Sequence, residues 1–196
     1  MREDVFLRSQ GALDLMLGRQ DRGWSRLDLS ADGFWNSFLA IVVCVPALLV
    51  ILISHARWLQ SSGVEVGVGT VVASLLAVEF FNWMVTLLIV VALARPLRVG
   101  GRITHLVVAL NWGSVTFAYL RAVPAAFALV FGLGEGLAVM MLVLTVVTLV
   151  LYWRLLSAAA APGPVAAVLF VVTVGFGYVL STVSQDMLGI APVVAN

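Results

Sequence analysis

Five long apolar runs, each followed by a short polar or glycine-rich break, dominate the pattern of this chain. They cover residues 34–54, 70–94, 104–131, 136–156 and 164–181. The breaks between them read SSGVEVG, ARPLRVGGR, GLGEG and AAAAPGP, and they carry the residues of turns. About 20 apolar residues are enough for a helix to cross a bilayer. The pattern therefore predicts an all-α, polytopic membrane helix bundle with five transmembrane helices.

The third run is longer than a bilayer requires and contains Pro124 three-quarters of the way along. Because proline removes a helical hydrogen bond, the run is either one tilted, kinked helix or a helix that ends near Arg121, followed by a shorter piece. We favour one kinked span, since the basic residues then sort cleanly between the two sides of the membrane.

Basic residues flank the runs unequally. One side holds nine arginines: Arg2, Arg8, Arg19, Arg22, Arg26, Arg95, Arg98, Arg102 and Arg154. The other side holds only Arg57. Positively charged ends remain in the cytoplasm, so the N-terminus is expected inside and the C-terminus outside. Arginine without lysine, beside abundant alanine, glycine and valine, suggests a GC-rich bacterial gene and hence the inner membrane, with a periplasmic C-terminus.

The segment before the first run is expected to form a cytoplasmic N-terminal segment, residues 1–33. Phe6, Leu13 and Leu17 share one helical face, with charged residues on the other side, which favours an amphipathic helix lying at the membrane interface. A poorly ordered tail is the alternative. Ser30 is placed to cap the first span, with Asp32 in its first turn. The transmembrane domain then covers residues 34–183 and an outward tail covers residues 184–196.

Composition supports the membrane assignment and excludes some partners. Hydrophobic residues make up 62% of the 196 residues and charged residues 11%, against about 45–50% and 25% in soluble domains. The net charge of +1 indicates no nucleic-acid partner. The single cysteine, Cys44, excludes an intramolecular disulfide and reads as a small buried hydrophobic residue. No cleavable signal peptide is expected.

Two polar stripes lie inside the second and third spans. Glu79, Asn82 and Thr86 share one face of the second span, and Asn111, Ser114 and Arg121 share one face of the third. A charge at mid-bilayer costs about 2.5–3.5 kcal/mol, so such groups are usually paired. Because both charges fall at similar depth on antiparallel neighbours, we predict that Glu79 meets Arg121, with Asn82 and Asn111 adding hydrogen bonds.

Other interpretations of these stripes stay open. Glu79 could be protonated, because burial disfavours the charged carboxylate, or Arg121 could reach the interface with its long side chain. The stripes could serve helix packing alone, or they could bind or conduct a ligand.

The remaining polar positions favour packing or the interface. Thr173, Gly177 and Ser181 form a small-residue groove on the fifth span for close helix approach, and Thr145, Thr148 and Tyr152 line one side of the fourth. His55 and His105 fall at span ends on opposite sides and are expected to be solvated. No catalytic set, metal site or cofactor site can be assembled from the sequence.

Three stretches of the chain are typical of a known family: the cytoplasmic amphipathic stretch, SADGFWNSF at the first span and VVALNWGSVTFAYLRAVPAAFAL in the third. In these stretches the chain resembles a bacterial relative of the Yip-type integral membrane proteins. The resemblance implies five spans, an inward N-terminus, an outward C-terminus and a partner-binding or membrane-organising role. The glycine- and serine-rich signature of eukaryotic members is not cleanly present.

Two functions follow as hypotheses. The first is a non-enzymatic accessory subunit that contacts the lipid bilayer and another membrane protein or a second copy of itself. The alternative is a small permease or ion-coupled transporter that uses the polar path of Glu79, Asn82, Asn111 and Arg121. Five spans without a repeated half make a standalone transporter the weaker hypothesis.

Overall fold

Eight α-helices make up the chain in a computed structural model that describes residues 2–63, 66–132, 134–160 and 163–189. The helices are α1 Arg2–Met16, α2 Gln20–Arg26, α3 Ala31–Asn36, α4 Leu39–Ser61, α5 Val68–Ala94, α6 Ile103–Phe131, α7 Glu135–Ala160 and α8 Pro164–Met187. A 3-10 turn, Gly100–Arg102, precedes α6. Within the described residues the architecture is therefore all-α, as the apolar pattern predicts.

Within the described ranges, five segments are long and apolar enough to cross a membrane, which agrees with the predicted number of spans. They are Ala31–Ser61, Val68–Ala94, Gly100–Phe131, Gly136–Ala160 and Pro164–Met187. The third run is one continuous helix that contains Pro124. The connections around residues 64–65, 133 and 161–162, and the tail from residue 190 onward, lie outside the described residues.

The first span differs from its prediction because it is broken near its beginning. Ser30 does act as a helix cap, since its hydroxyl oxygen accepts a hydrogen bond from Gly33 N at 3.1 Å, with Asp32 in the first turn. The capped helix, however, is the short α3. The chain turns at Ser37 and Phe38 before α4 continues to Ser61, seven residues beyond the predicted end.

The five spans pack in the order α4, α6, α7, α8, α5, with α5 returning to α4. The helix α6 packs chiefly against α4 and α7, whereas its contact with α5 is narrow. The expectation that the second and third spans are close neighbours is therefore right only for a small region. We call the end where α1–α3 pack the capped end, and the end where α4 joins α5 the open end.

The capped end contains the main core, and its centre is the first half of α6. Every residue from 106 to 113 is buried there, including Trp112 and Asn111. A helix segment buried on all sides must be surrounded by other helices. This segment of α6 is surrounded by α4, the last residues of α7 and α1. The packed side chains include Leu15 and Met16 of α1 and Leu155 and Leu156 of α7.

The helices α1 and α2 form a hairpin that docks on α6 and α7. Gly18, with a φ of 83°, allows the turn after α1. Inside the hairpin, Asp14 is buried, and it accepts a hydrogen bond from Arg26 at 2.6 Å and a longer one from Arg19 at 3.4 Å. The sequence analysis did not predict these ion pairs within the hairpin. The acid Asp14 inside the apolar run LDLML could have indicated them.

The predicted helix in the N-terminal segment is confirmed, and one of its faces packs on the protein. The buried hydrophobic residues of this helix are Ala12, Leu15 and Met16, and Leu13, which the sequence placed on the apolar face, is partly buried against the same core. Phe6 and Leu17, assigned to the apolar face, are 66% and 44% exposed. They remain available to lipid, so a position of this helix at the membrane interface stays a prediction.

Packing is much looser at the open end. The apolar window of α7 that qualifies it as a span has 0% of its residues buried inside the protein. The helices α4 and α5 form a separate small cluster there, made of Leu52, Ala56, Leu59, Val71 and Leu75. The other helices leave space between them, and this difference between the two ends positions the candidate site.

We predict that Gly113→Val destabilises the protein, because α6 and α7 approach each other closely at this glycine. A Cβ atom on Gly113 would lie 2.5 Å from Leu155 Cδ2 and 3.1 Å from Met16 Cε. Overpacking of this kind costs about 1–3 kcal/mol. The measurement is the thermal unfolding midpoint of the purified protein in mild detergent.

The matched control is Gly175→Val on α8, where an added Cβ meets no atom within 4 Å. This variant should unfold at the parental temperature or slightly above it, since glycine is a poor helix former. Equal losses at the two glycines would show that the tight approach at Gly113 is not what matters.

Candidate functional site

An acid and a base from two different spans meet where the bundle begins to open. Arg121 Nη2 of α6 lies 3.7 Å from Glu79 Oε1 of α5. The contact predicted from the sequence is confirmed, and Arg121 reaches toward Glu79 rather than away from it. The separation is that of an ion pair but is too long for a hydrogen bond.

The helix register brings the two side chains to the same level. Arg121 lies 18 residues from the capped end of α6, and Glu79 lies 15 residues from the capped end of α5. At about 1.5 Å per residue, these offsets correspond to roughly 27 and 22 Å. Each charge lies deep in a span where it needs compensation, so their juxtaposition makes both tolerable in lipid.

Both side chains are only partly covered by the protein. Arg121 is 51% exposed and Glu79 is 32% exposed. Guanidinium has five N–H donors, yet within the described residues Arg121 makes no hydrogen bond to protein, only the 3.7 Å contact with Glu79. The pair thus leaves most of the hydrogen-bonding capacity of Arg121 unused.

A cavity of about 460 Å³ adjoins Arg121 between α4, α6 and α7. Its volume is within the range of sites that hold small organic ligands. Most of its wall is apolar, and the polar groups are few. The lining residues are Ile51, Ser54, His55, Trp58, Arg121, Pro124, Ala125, Met141, Leu144, Thr145, Thr148 and Leu149.

A second cavity of about 310 Å³ lies beside the first, nearer the open end. The two share Ser54 and Trp58 in their walls, and the second adds Arg57 and the end of α6 at Gly132. Arg57 is exposed at this position. Each of the two adjoining cavities therefore has one arginine in its wall.

Histidine 55 belongs to the cavity wall, which corrects the expectation that it is solvated. Its Nε2 is buried and has no hydrogen-bond partner among the described residues. Its ring packs edge-on against Trp58, with the ring centroids 5.4 Å apart. His105 is partly covered, since its Nδ1 is buried and its ring packs on Trp24 at the capped end.

Asn111 does not join the ion pair, contrary to the prediction. Its Nδ2 donates a hydrogen bond of 2.8 Å to Ser37 Oγ, which in turn donates to Phe34 O at 2.6 Å. Ser114 donates to the carbonyl of Asn111 at 2.6 Å and lies 3.6 Å from Cys44 Sγ. This half of the polar stripe fixes α6 to the break between α3 and α4.

Asn82 also lies apart from the ion pair. Its side chain faces Gly177 of α8, where an added Cβ would lie 3.5 Å from Asn82 Oδ1. That Oδ1 is buried without a hydrogen-bond partner in the described part of the chain. Thr86, one helical turn further, is partly buried. The predicted hydrogen bond from Asn82 to the charges is therefore wrong.

The small-residue groove on α8 is divided between two neighbours. Gly177 faces α5 through Asn82, and Thr173 accepts a hydrogen bond of 2.9 Å from the Tyr152 hydroxyl of α7. Ser181 bonds within its own helix, to Gln185 at 3.0 Å. Thr145 and Thr148, which the sequence assigned to packing, line the cavity instead, because α7 separates from the bundle there.

A metal centre finds no support in the described residues. Among them, no group of three or more histidine, cysteine, aspartate or glutamate side chains could hold an ion. Cys44 is buried and unpaired, as its position in an apolar run predicts.

No family model, curated protein or solved structure matches this chain. Its class accordingly rests on the fold, which is that of a multi-pass, all-α helical membrane protein. The resemblance to Yip-type proteins stays a prediction.

The two asparagines provide a matched pair for testing which polar groups hold the bundle. Asn111→Ala should destabilise the protein by about 1–2 kcal/mol, since it removes a fully buried interhelical hydrogen bond. Asn82→Ala should change stability little, because it removes an acceptor that has no partner. Unfolding midpoints in the same detergent measure both. An equal loss at the two positions would contradict this division.

Proposed function

We propose that the protein is a non-enzymatic membrane protein that binds a small ligand in the cavity between α4, α6 and α7. The observation that carries this proposal is a half-exposed guanidinium, Arg121, at the wall of a largely apolar volume of about 460 Å³. Binding sites for small molecules combine such apolar walls with a few polar groups that fix orientation.

The architecture supports binding more than chemistry. Near the cavity, the described polar groups are one ion pair, one histidine, one serine and two threonines. Both threonine hydroxyls donate to backbone carbonyls of their own helix, at 2.8 and 2.7 Å. No hydroxyl in this described set is hydrogen-bonded to a base, which is one of the ways a nucleophile is activated.

Transport is the extension of this function that the two adjoining cavities favour. They lie between the open end and the depth of Arg121, and the core around residues 106–113 is buried. A carrier needs such an asymmetry, open toward one side and closed toward the other. The accessory role, binding another membrane protein or a second copy, stays a prediction.

We expect the ligand to occupy the cavity space beside Thr145, an exposed residue of α7 that lines it. In phosphatidylcholine nanodiscs, the protein should bind radiolabelled 1-decanol above the level of protein-free nanodiscs. Thr145→Trp should remove this excess by filling the volume. Val146→Trp, on the same helix but outside the wall, should leave it unchanged. If the parental protein binds no more 1-decanol than protein-free nanodiscs do, the proposal is wrong.

We further propose that the protein lies in a bacterial inner membrane with its capped end in the cytoplasm. The nine arginines assigned to one side all belong to the N-terminal helices or to the helix ends and connection next to them, in agreement with the positive-inside rule. The cavity then opens toward the periplasm.

Cysteine labelling of intact cells tests this orientation in a Cys44→Ser background. A membrane-impermeant maleimide should label Ser61→Cys, which is exposed near the open end. It should label Arg22→Cys, exposed at the capped end, only after the cells are permeabilised. The reverse pattern would place the cavity on the cytoplasmic side.

A further inference from the structure

We infer that the ligand of the cavity is a single-chain amphiphile with an anionic head, a carboxylate or a phosphate monoester, whose head binds Arg121 and His55. This inference rests on the proposed function and names the chemical class of the ligand. It is carried by three features of the site: the charges of the walls, the unused hydrogen-bonding groups and the apolar remainder.

The charged residues that line the two cavities in the described part of the chain are Arg121 and Arg57, and no described acid is among the lining residues. The acid of the ion pair, Glu79, contacts Arg121 from outside the lining. An anion entering from the open end therefore meets Arg57 first and Arg121 at depth.

The hydrogen-bonding groups at depth lack partners that an anionic head would provide. Arg121 has five donors and only a 3.7 Å contact to Glu79. Nε2 of His55 is buried and has no partner in the described chain. A carboxylate or phosphate can accept two parallel bonds from guanidinium, and an oxygen of the same head can accept from a neutral imidazole N–H.

The rest of the wall suits a hydrocarbon chain. Ile51, Pro124, Ala125, Met141, Leu144 and Leu149 offer no hydrogen-bonding side chain. A small water-soluble anion would leave this surface without apolar contact, whereas an alkyl chain that enters from water gains about 0.8 kcal/mol for each methylene it buries. The head and the tail of one molecule thus match the two parts of the cavity.

Glu79 competes with the ligand for Arg121. Both the carboxylate and an incoming anion are attracted to the same guanidinium, and they repel each other. Removing the charge of Glu79 should therefore strengthen binding of an anion. A residue that merely held the helices together would weaken binding when replaced, so the sign of the change separates the two roles.

The test measures equilibrium binding of radiolabelled decanoate to the protein in phosphatidylcholine nanodiscs. Arg121→Gln should weaken binding at least about tenfold, because charge-assisted hydrogen bonds are lost. Glu79→Gln should tighten it about threefold or more, since the competing charge is removed. Arg22→Gln, an exposed arginine at the capped end, is the matched control and should leave affinity unchanged.

A double variant keeps the test decisive if Arg121→Gln does not fold. Replacing Glu79 and Arg121 together by glutamine leaves no uncompensated charge in the bundle, and this protein should bind decanoate no better than it binds 1-decanol. Unchanged decanoate affinity in the double variant would overturn the inference. So would a larger loss with Arg57→Gln than with Arg121→Gln, which would place the head at the mouth.

Binding of 1-decanol and competition by acetate distinguish failure of this inference from failure of the proposed function. If 1-decanol binds and Thr145→Trp blocks it, while decanoate binds no more tightly, the cavity is a ligand site but not an anion site. If acetate competes as well as decanoate at equal concentration, the ligand is a small anion and the amphiphile is excluded. If neither decanoate nor 1-decanol binds, the proposed function itself fails.

Discussion

Complete burial of residues 106–113 of α6 is the constraint on which the rest of this structure depends. A helix has neighbours on all sides only when several elements surround it, and residues 106–113 are covered by α4, by the end of α7 and by the N-terminal hairpin. Packing at this end is dense enough that Gly113 leaves no space for a methyl group beside Leu155. Because one end is held so firmly, the helices can separate at the other end without the bundle dissociating.

The tight packing at the capped end explains why the N-terminal hairpin is part of the bundle and not a free tail. Its buried ionic contact between Asp14 and Arg26 fixes α1 against α2, and its apolar side, Leu15 and Met16, completes the core around α6. The predicted interfacial position needs only the other side, where Phe6 is exposed. One helix can therefore pack on the protein with one face and meet lipid headgroups with another.

The sequence predicts the spans and the ion pair because both follow from the cost of placing polar groups in lipid. Length and apolarity alone define the five crossings, and a lone acid and a lone arginine deep in two spans have few partners besides each other. The hydrogen-bond partner of Asn111 could not be predicted from the sequence, because Ser37 lies at a helix break that the apolar run of residues 34–54 does not indicate. The cavity was equally hidden: Thr145 and Thr148 look like packing residues until the separation of α7 is known.

The polar contacts of the bundle differ in a way that bears on function. The bond between Asn111 and Ser37 is 2.8 Å long, and both residues are fully buried, which is what a packing contact requires. The contact between Arg121 and Glu79 is 3.7 Å long, and Arg121 is half exposed beside a cavity. The charge of Arg121 is therefore compensated by Glu79, while its N–H donors have no hydrogen-bond partner among the described residues. That combination is what the proposed anion site depends on.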